Sequence, residues 1–250
     1  YLIKTVADKT IEELKETGML NLFKKIEMPL VEVLGNMQYN GMYVDKDELM
    51  EFGNNLKEQI EVLKREIYDM CGEEFNINST RQLGVILFEK LGLTVYKKTK
   101  NGYSTDVDIL EKLKSEHPVI EKILEYRSLM KLNSSYVEGL MPYINEKTKR
   151  IHSYFHQTIT ATGRISSTEP NLQTIPTRYE LGKKLRKVFK PEEGNIFIDA
   201  DYSQIELRVL ADISGDRNML KAFRNDEDIH KQVASKVFDV PLEEVTTILI

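Results

Sequence analysis

From Asp45 to Met70 the apolar residues Leu49, Phe52, Leu56, Ile60, Leu63, Ile67 and Met70 recur at spacings of three and four, the period of one helix face. The stretch predicts a helix of about 26 residues, ~39 Å long at 1.5 Å per residue, capped at its N-terminus by Asp45. A single apolar stripe of that length calls for a partner helix lying along it. The flanking segments read the same way. Thr10 to Lys25 is a charged amphipathic stretch carrying Leu14, Leu20, Leu22 and Phe23. Pro29, tolerated in a first turn, opens a helix with Val31, Leu34 and Met37 as its stripe, and Asn40-Gly41 ends it. Ser79 caps a short helix through Gln82, Leu83, Ile86, Leu87 and Leu91, which Gly92 closes. Tyr96 to Tyr103 is rich in lysine and poor in core formers, so it is predicted as a loop. Two further helices are expected, roughly Asp106 to Ser115 and Pro118 to Leu140.

Near residue 150 the pattern changes. Ile151 to Ile159 is dense in β-branched and aromatic residues and predicts a strand. Thr162 to Pro170 is turn-forming, and Pro176 breaks the chain again. Asn195-Ile-Phe-Ile198 predicts a short buried strand, followed by helices from Ile205, near Met219 and near Asp228. Helices first, then strands mixed with helices, indicate a helical subdomain joined to an α+β one.

Composition narrows the class. The chain has 250 residues, enough for a substantial core. No apolar run approaches a membrane span, and the N-terminus lacks the pattern of a signal peptide. Cys71 is the only cysteine, so no internal disulfide can form; it reads as a partly buried bystander. The net charge is −5, yet local balance matters more than the sum. Between Arg178 and Lys190, six basic residues (Arg178, Lys183, Lys184, Arg186, Lys187, Lys190) stand against Glu180 alone.

The densest chemistry is Asp199-Ala-Asp-Tyr-Ser-Gln-Ile-Glu-Leu-Arg208, directly after the expected strand. Carboxylates at a strand end are a common way to hold Mg²⁺, which prefers oxygen ligands. Asp201-Tyr-Ser-Gln-Ile-Glu-Leu-Arg-Val-Leu-Ala211 resembles motif A of the family A DNA polymerases. Ala161-Thr-Gly-Arg-Ile-Ser-Ser167, Pro170-Asn-Leu-Gln173 and Ile175-Pro176 resemble the block ahead of it, and Asp228-Ile-His230 the segment after it. Phe75-Asn-Ile-Asn-Ser79 with Gln82-Leu83, and Tyr126-Arg127 with Lys131-Leu132, resemble the family's thumb. The resemblance spans about residues 25 to 245.

It implies an α+β fold: a long-helix thumb, a partial palm of antiparallel-type sheet with helices, and the first fingers helices. Residues 1–24 would be the last helix of a proofreading-exonuclease-like domain, 25–48 the palm base, 49–140 the thumb, 141–214 the first half of the palm with motif A, and 215–250 the start of the fingers. It implies DNA-directed DNA polymerase activity through two Mg²⁺ ions, with Asp201 as the first catalytic carboxylate and the Tyr202 carbonyl facing the same metals. Glu206 would exclude ribonucleotides, and Ser203, Gln204 and Glu206 would line the nucleotide site. Asp199 would be solvated or supporting rather than a ligand. Arg164 would reach minor-groove acceptors at the primer terminus, which every base pair offers. Asn171 and Gln173 would bond template and primer, while Thr174 departs from the asparagine common in the family. Asn78, Ser79 and Gln82 would seat a phosphate or simply cap their helix. Lys97, Lys98, Lys100, Arg127 and Lys131 would meet DNA phosphates. His152 and His156 are too few for zinc, and His230 reads as a packing or phosphate-side residue.

The family's motif B, and the His-Asp-Glu of its motif C with the second catalytic carboxylate, are absent from this sequence. The expectation is therefore a polymerase fragment holding half of the metal carboxylates and inactive by itself. Its expected partners are primer–template DNA and, in the complete enzyme, deoxynucleoside triphosphates. It would act as a monomer in the bacterial cytoplasm, with the nucleoid. A non-catalytic primer–template-binding module is the alternative. A metal nuclease using Asp199, Asp201 and Glu206 accounts for far fewer of the matching residues.

Overall fold

The structure is a computed structural model that describes residues 2–100, 102–177 and 180–246. It divides between Asn195 and Ile196 into two compact bodies.

The first body opens with helix α1 (Leu2–Glu16), closed by Gly18 at φ 73°. The expected amphipathic helix to Lys25 is thus interrupted. A second helical run follows as α2 (Leu20–Leu22), a π-helical turn (Phe23–Glu27) and α3 (Met28–Asn40). Pro29 does not open this run but sits inside it. Proline has no N–H and crowds the carbonyl of the preceding turn, and the wider π-turn just ahead of it accommodates that.

Helix α4 (Lys46–Cys71) has the expected 26 residues, and Asp45 caps it by accepting from the Glu48 N–H at 3.0 Å. Its buried line is Leu49, Gly53, Leu56, Ile60, Leu63, Ile67 and Cys71. Phe52 is only partly buried and Met70 is exposed, so the stripe runs through Gly53 and Cys71 instead. Burial also raises the Cys71 thiol above its ordinary pKa. The expected partner is α7 (Val119–Leu132), continued by a π-helical segment (Asn133–Glu138). Between α4 and α7, α5 (Thr80–Val85) runs into another π-turn (Ile86–Lys90), and α6 (Val107–Leu113) precedes α7. Their apolar faces join one core that reaches from Val44 to Val188.

Strands are short. β1 (Met42–Tyr43) pairs antiparallel with β4 (Arg150–Ile151), Met42 opposite Ile151. The lysine-rich segment is a small hairpin rather than a loop: β2 (Lys98–Thr99) pairs with β3 (Gly102–Tyr103). Tyr103 anchors it, its ring 5.0 Å from that of Phe88 and its Cβ against Gly84. The single strand expected over Ile151 to Ile159 is broken: Ile151 ends β4, residues 152–153 are irregular, and a separate strand follows. β5 (Tyr154–His156) pairs with β6 (Ser166–Thr168), Phe155 opposite Ser167. Helix α8 (Glu180–Arg186) completes the body.

The second body holds α9 (Ile205–Ser214), α10 (Arg217–Arg224) and α11 (Ile229–Phe238). The buried strand expected at Asn195–Ile198 is not formed: the segment is irregular, with Ile196 81% and Ile198 86% exposed. A strand needs a neighbour for its N–H and C=O groups, and among the described residues this body contains none. Of the described residues, no helix is long and apolar enough to cross a membrane.

Two outcomes test this packing. A Cβ on Gly53 would lie 2.6 Å from Cγ1 of Val137. Gly53→Ala should therefore lower stability in urea unfolding, because overpacking costs about 1–3 kcal/mol against roughly 1 kcal/mol of better helix propensity. A cycle with Val137→Ala should show the clash relieved. The Asp45 carboxyl is held below its ordinary pKa by the Glu48 N–H and then by Lys190. A depressed folded-state value stabilises above the unfolded pKa of about 4 and is lost as pH falls through the folded value. Asp45→Asn should therefore lower Tm at neutral pH, and the gap should close in acid.

Candidate nucleic-acid and metal-binding site

The first body carries all the residues expected to meet DNA. At the start of α5, Ser79 Oγ accepts from the Gln82 N–H at 3.4 Å and Gln82 Oε1 accepts from the Asn76 N–H at 2.8 Å. Asn78 Nδ2 donates to the Tyr126 hydroxyl at 3.2 Å. All three side chains thus take part in building the turn. On the hairpin, Lys97, Lys98 and Lys100 are exposed. Lys97 lies 3.9 Å from the Asp106 carboxylate, and the Lys98 ammonium sits 5.4 Å above the Tyr103 ring. Lys131 is exposed on α7.

Arg127 is different. Its guanidinium donates to the Thr105 carbonyl and, at 3.0 Å, to Thr105 Oγ1. Burial holds its pKa below the ordinary arginine value, opposed by Asp106 nearby. The planar fork ties α7 to the segment leading into α6.

Arg164 is exposed in the connection between β5 and β6, one residue after Gly163 at φ 77°. The turn is fixed from both sides: Thr160 Oγ1 donates to the Arg164 carbonyl, and Gln157 Nε2 donates to Oε2 of Glu27 at 2.8 Å. Asn171 Oδ1 accepts from the Gln173 N–H at 3.0 Å and from Ser167 Oγ at 3.1 Å, and Gln173 Nε2 donates to the Ile165 carbonyl at 3.0 Å. His152 Nδ1 meets the Gln38 carbonyl and His156 Nε2 meets Thr168 Oγ1, each at 2.8 Å. Arg164, Asn171 and Gln173 therefore share one braced surface on the β5–β6 unit.

Two cations of the basic cluster, Lys183 and Lys190, are paired with carboxylates. Arg178 lies outside the described residues. Lys190 is bound to Asp45 at 2.9 Å and Glu48 at 2.6 Å, which raise its pKa, and Lys183 pairs with Glu180. Lys184, Arg186 and Lys187 project outward, while Leu185 and Val188 face the core.

In the second body, Asp199, Asp201, Tyr202, Ser203 and Glu206 are exposed around the start of α9. Gln204 adopts a left-handed conformation, φ 53° and ψ 39°, at the N-cap of α9. Its Nε2 donates to Oδ1 of Asp228 at 3.3 Å. Asp228 caps α11 through the N–H groups of His230 and Lys231. Its carboxyl stays below its ordinary pKa although burial opposes this, because the two N–H groups and Gln204 favour the charged form. Arg208 Nε donates to the Ser203 carbonyl at 2.9 Å, and its guanidinium lies 4.7 Å from the Phe223 ring centre. No three carboxylate, imidazole or thiol groups among the described residues converge as a metal cage. The Asp201 carboxylate and the Tyr202 carbonyl are nevertheless hard oxygen donors of the kind Mg²⁺ takes, and Mg²⁺ is commonly held by one or two carboxylates plus substrate phosphates.

The model of DNA polymerase family A matches residues 46–248. The chain belongs to DNA polymerase family A. Its family A relatives include DNA polymerase I of Bacillus subtilis (strain 168), 49% identical over 98% of this chain and 28% of that protein. DNA polymerase I of Lactococcus lactis subsp. lactis is 51% identical over 96% of this chain and 27% of its own length. Among solved structures, the POL domain of Pol1 from M. smegmatis, in complex with DNA primer-template and dNTP, superposes with a TM-score of 0.89. It is 39% identical and covers 98% of this chain and 43% of that domain chain. The chain thus spans little more than a quarter of the curated family A relatives it matches. Asp228 and Arg208 carry structural roles that no expectation assigned to them. An Asp two residues ahead of a helical amide is a capping signal, but its bond to Gln204 has no sequence mark.

Arg127→Lys should lower unfolding stability by about 1–3 kcal/mol, since a lysine cannot reproduce the fork and leaves a buried acceptor short. Lys100→Ala, on the exposed hairpin, should stay within about 0.5 kcal/mol of the parent. Urea titrations of the two variants check this.

Proposed function

We propose that this chain supplies the thumb, the first half of the palm and the start of the fingers of a template-directed DNA polymerase. The observation that carries the reading is the family A match across the exposed Asp201–Glu206 turn and the braced β5–β6 surface together. In this reading Arg164, Asn171 and Gln173 face the primer–template, and the hairpin lysines, Lys131 and the α8 cations add phosphate contacts that weaken with salt. Asp201 and the Tyr202 carbonyl would hold Mg²⁺, which when bound neutralises charge on the reacting phosphates. Ser203, Gln204 and Glu206 border the nucleotide, with Glu206 against its sugar. Deoxynucleoside triphosphates and primer–template are the substrates, and the setting is the bacterial cytoplasm, with the enzyme acting as a monomer. The second catalytic carboxylate is not among these 250 residues, so they should bind primer–template without extending it.

A primer-extension assay tests this in the complete enzyme that contains the sequence. Asp201→Ala should abolish extension while leaving DNA affinity nearly intact; undiminished extension overturns the reading. Arg164→Ala should slow addition by about 10²-fold, the worth of one charge-assisted hydrogen bond of ~1.5–3 kcal/mol used in the transition state. The loss should fall on kcat and be similar for all four terminal pairs. Replacing N3 of the terminal purine by C–H should cost the parent the same and the variant almost nothing.

A further inference from the structure

The turn that carries Asp201, Tyr202 and Ser203 into α9 lies at the surface. Asp199 to Ser203 are all exposed, and the strand expected to anchor them is not formed. Gln204 then takes a left-handed conformation at φ 53°, which a non-glycine residue holds only when its surroundings fix it. Side-chain ties reach it from α9 and from α11. Arg208 reaches back from α9 to the Ser203 carbonyl at 2.9 Å. Gln204 reaches out to Asp228 at 3.3 Å, and that same carboxylate oxygen accepts from the His230 N–H at 2.9 Å and the Lys231 N–H at 3.4 Å. The first tie stays inside the turn's own helix. The second fastens the turn to the capped end of a different helix, α11. The other end of the Gln204 amide, Oε1, is buried with no hydrogen-bond partner among the described residues.

We propose that Asp228 is a positioning residue for the catalytic turn: through Gln204 its carboxylate fixes the backbone that presents Asp201 and the Tyr202 carbonyl, and so couples the seating of α11 to the geometry of catalysis. The proposal rests on the polymerase reading above. Asp228 need not touch substrate to do this. A reacting group displaced by an ångström can lose about two orders of magnitude in rate, so a tie that holds the turn acts on turnover more than on binding.

The test uses the complete enzyme and separates the cap from the tie. Asp228→Ser keeps a good N-cap for α11, but its hydroxyl is one bond shorter and does not reach Gln204. Asp228→Asn keeps an acceptor oxygen at the right length for both. We expect Asp228→Ser to leave Tm and DNA affinity unchanged and to lower kcat for nucleotide addition by about tenfold with little change in KM. Asp228→Asn should restore most of that rate. Gln204→Leu should show at least the Asp228→Ser loss, and adding Asp228→Ser to it should cost nothing more. A normal kcat for Asp228→Ser, or losses that multiply in the double variant, overturns the proposal. Asp201→Ala serves as the separate arm: if it still extends primer, the polymerase reading fails. If it is dead while Asp228→Ser is normal, only the positioning role fails.

Discussion

The contact of α4 with α7 is the constraint on which the first body depends. A helix of 26 residues with one apolar line cannot bury that line against itself, and its marginal stability alone would not keep it helical. The partner must run alongside and approach closely enough to exclude water. Gly53 is where closeness is decided, because Val137 occupies the space a Cβ would take. Once the two helices are fixed, α5 and α6 close over the same core, and Tyr103 anchors the hairpin to it.

That arrangement separates rigidity from display. Several side chains are used to tie the fold itself: Arg127 on Thr105, Lys190 on the start of α4, Asn78 on Tyr126. The groups offered to solvent are carried on short, well-tied turns, as Arg164 is between Thr160 and β6. The second body repeats the scheme on a smaller scale, with Gln204 and Arg208 bracing a turn whose acidic residues stand exposed. Contacts with an anion need reach and charge, whereas a carboxylate that must keep one geometry needs a fixed backbone.

The long helix was legible because its period of three and four is a direct image of burial, and its cap because Asp45 precedes the stripe. Gly53 and Cys71 were missed, since neither announces itself as a core residue in a helical pattern. The π-turns at Phe23–Glu27 and Ile86–Lys90 leave no period of their own. Asn195–Ile198 was misread for a plainer reason: apolar composition states what a segment can bury, not whether a neighbour exists to receive it. At the candidate site, the motif named Asp201, Glu206 and Arg164 as chemistry, but it could not tell that Arg127 is bonded to Thr105. The tie between Gln204 and Asp228 joins positions 24 residues apart and is invisible to any local pattern.

The junction at Lys190 has a consequence for how the chain acquires its structure. Val44 bridges to Phe189, and Lys190 binds Asp45, 145 residues earlier in the chain. Closing so long a loop costs entropy that nearby contacts do not. As the chain leaves the ribosome, α4 to α7 can gather while their neighbours are still being made. The start of α4 must wait. Until Lys190 emerges, the Asp45 and Glu48 carboxylates at that helix end lack the ammonium that binds them both, and Val44 has no Phe189 to bridge to.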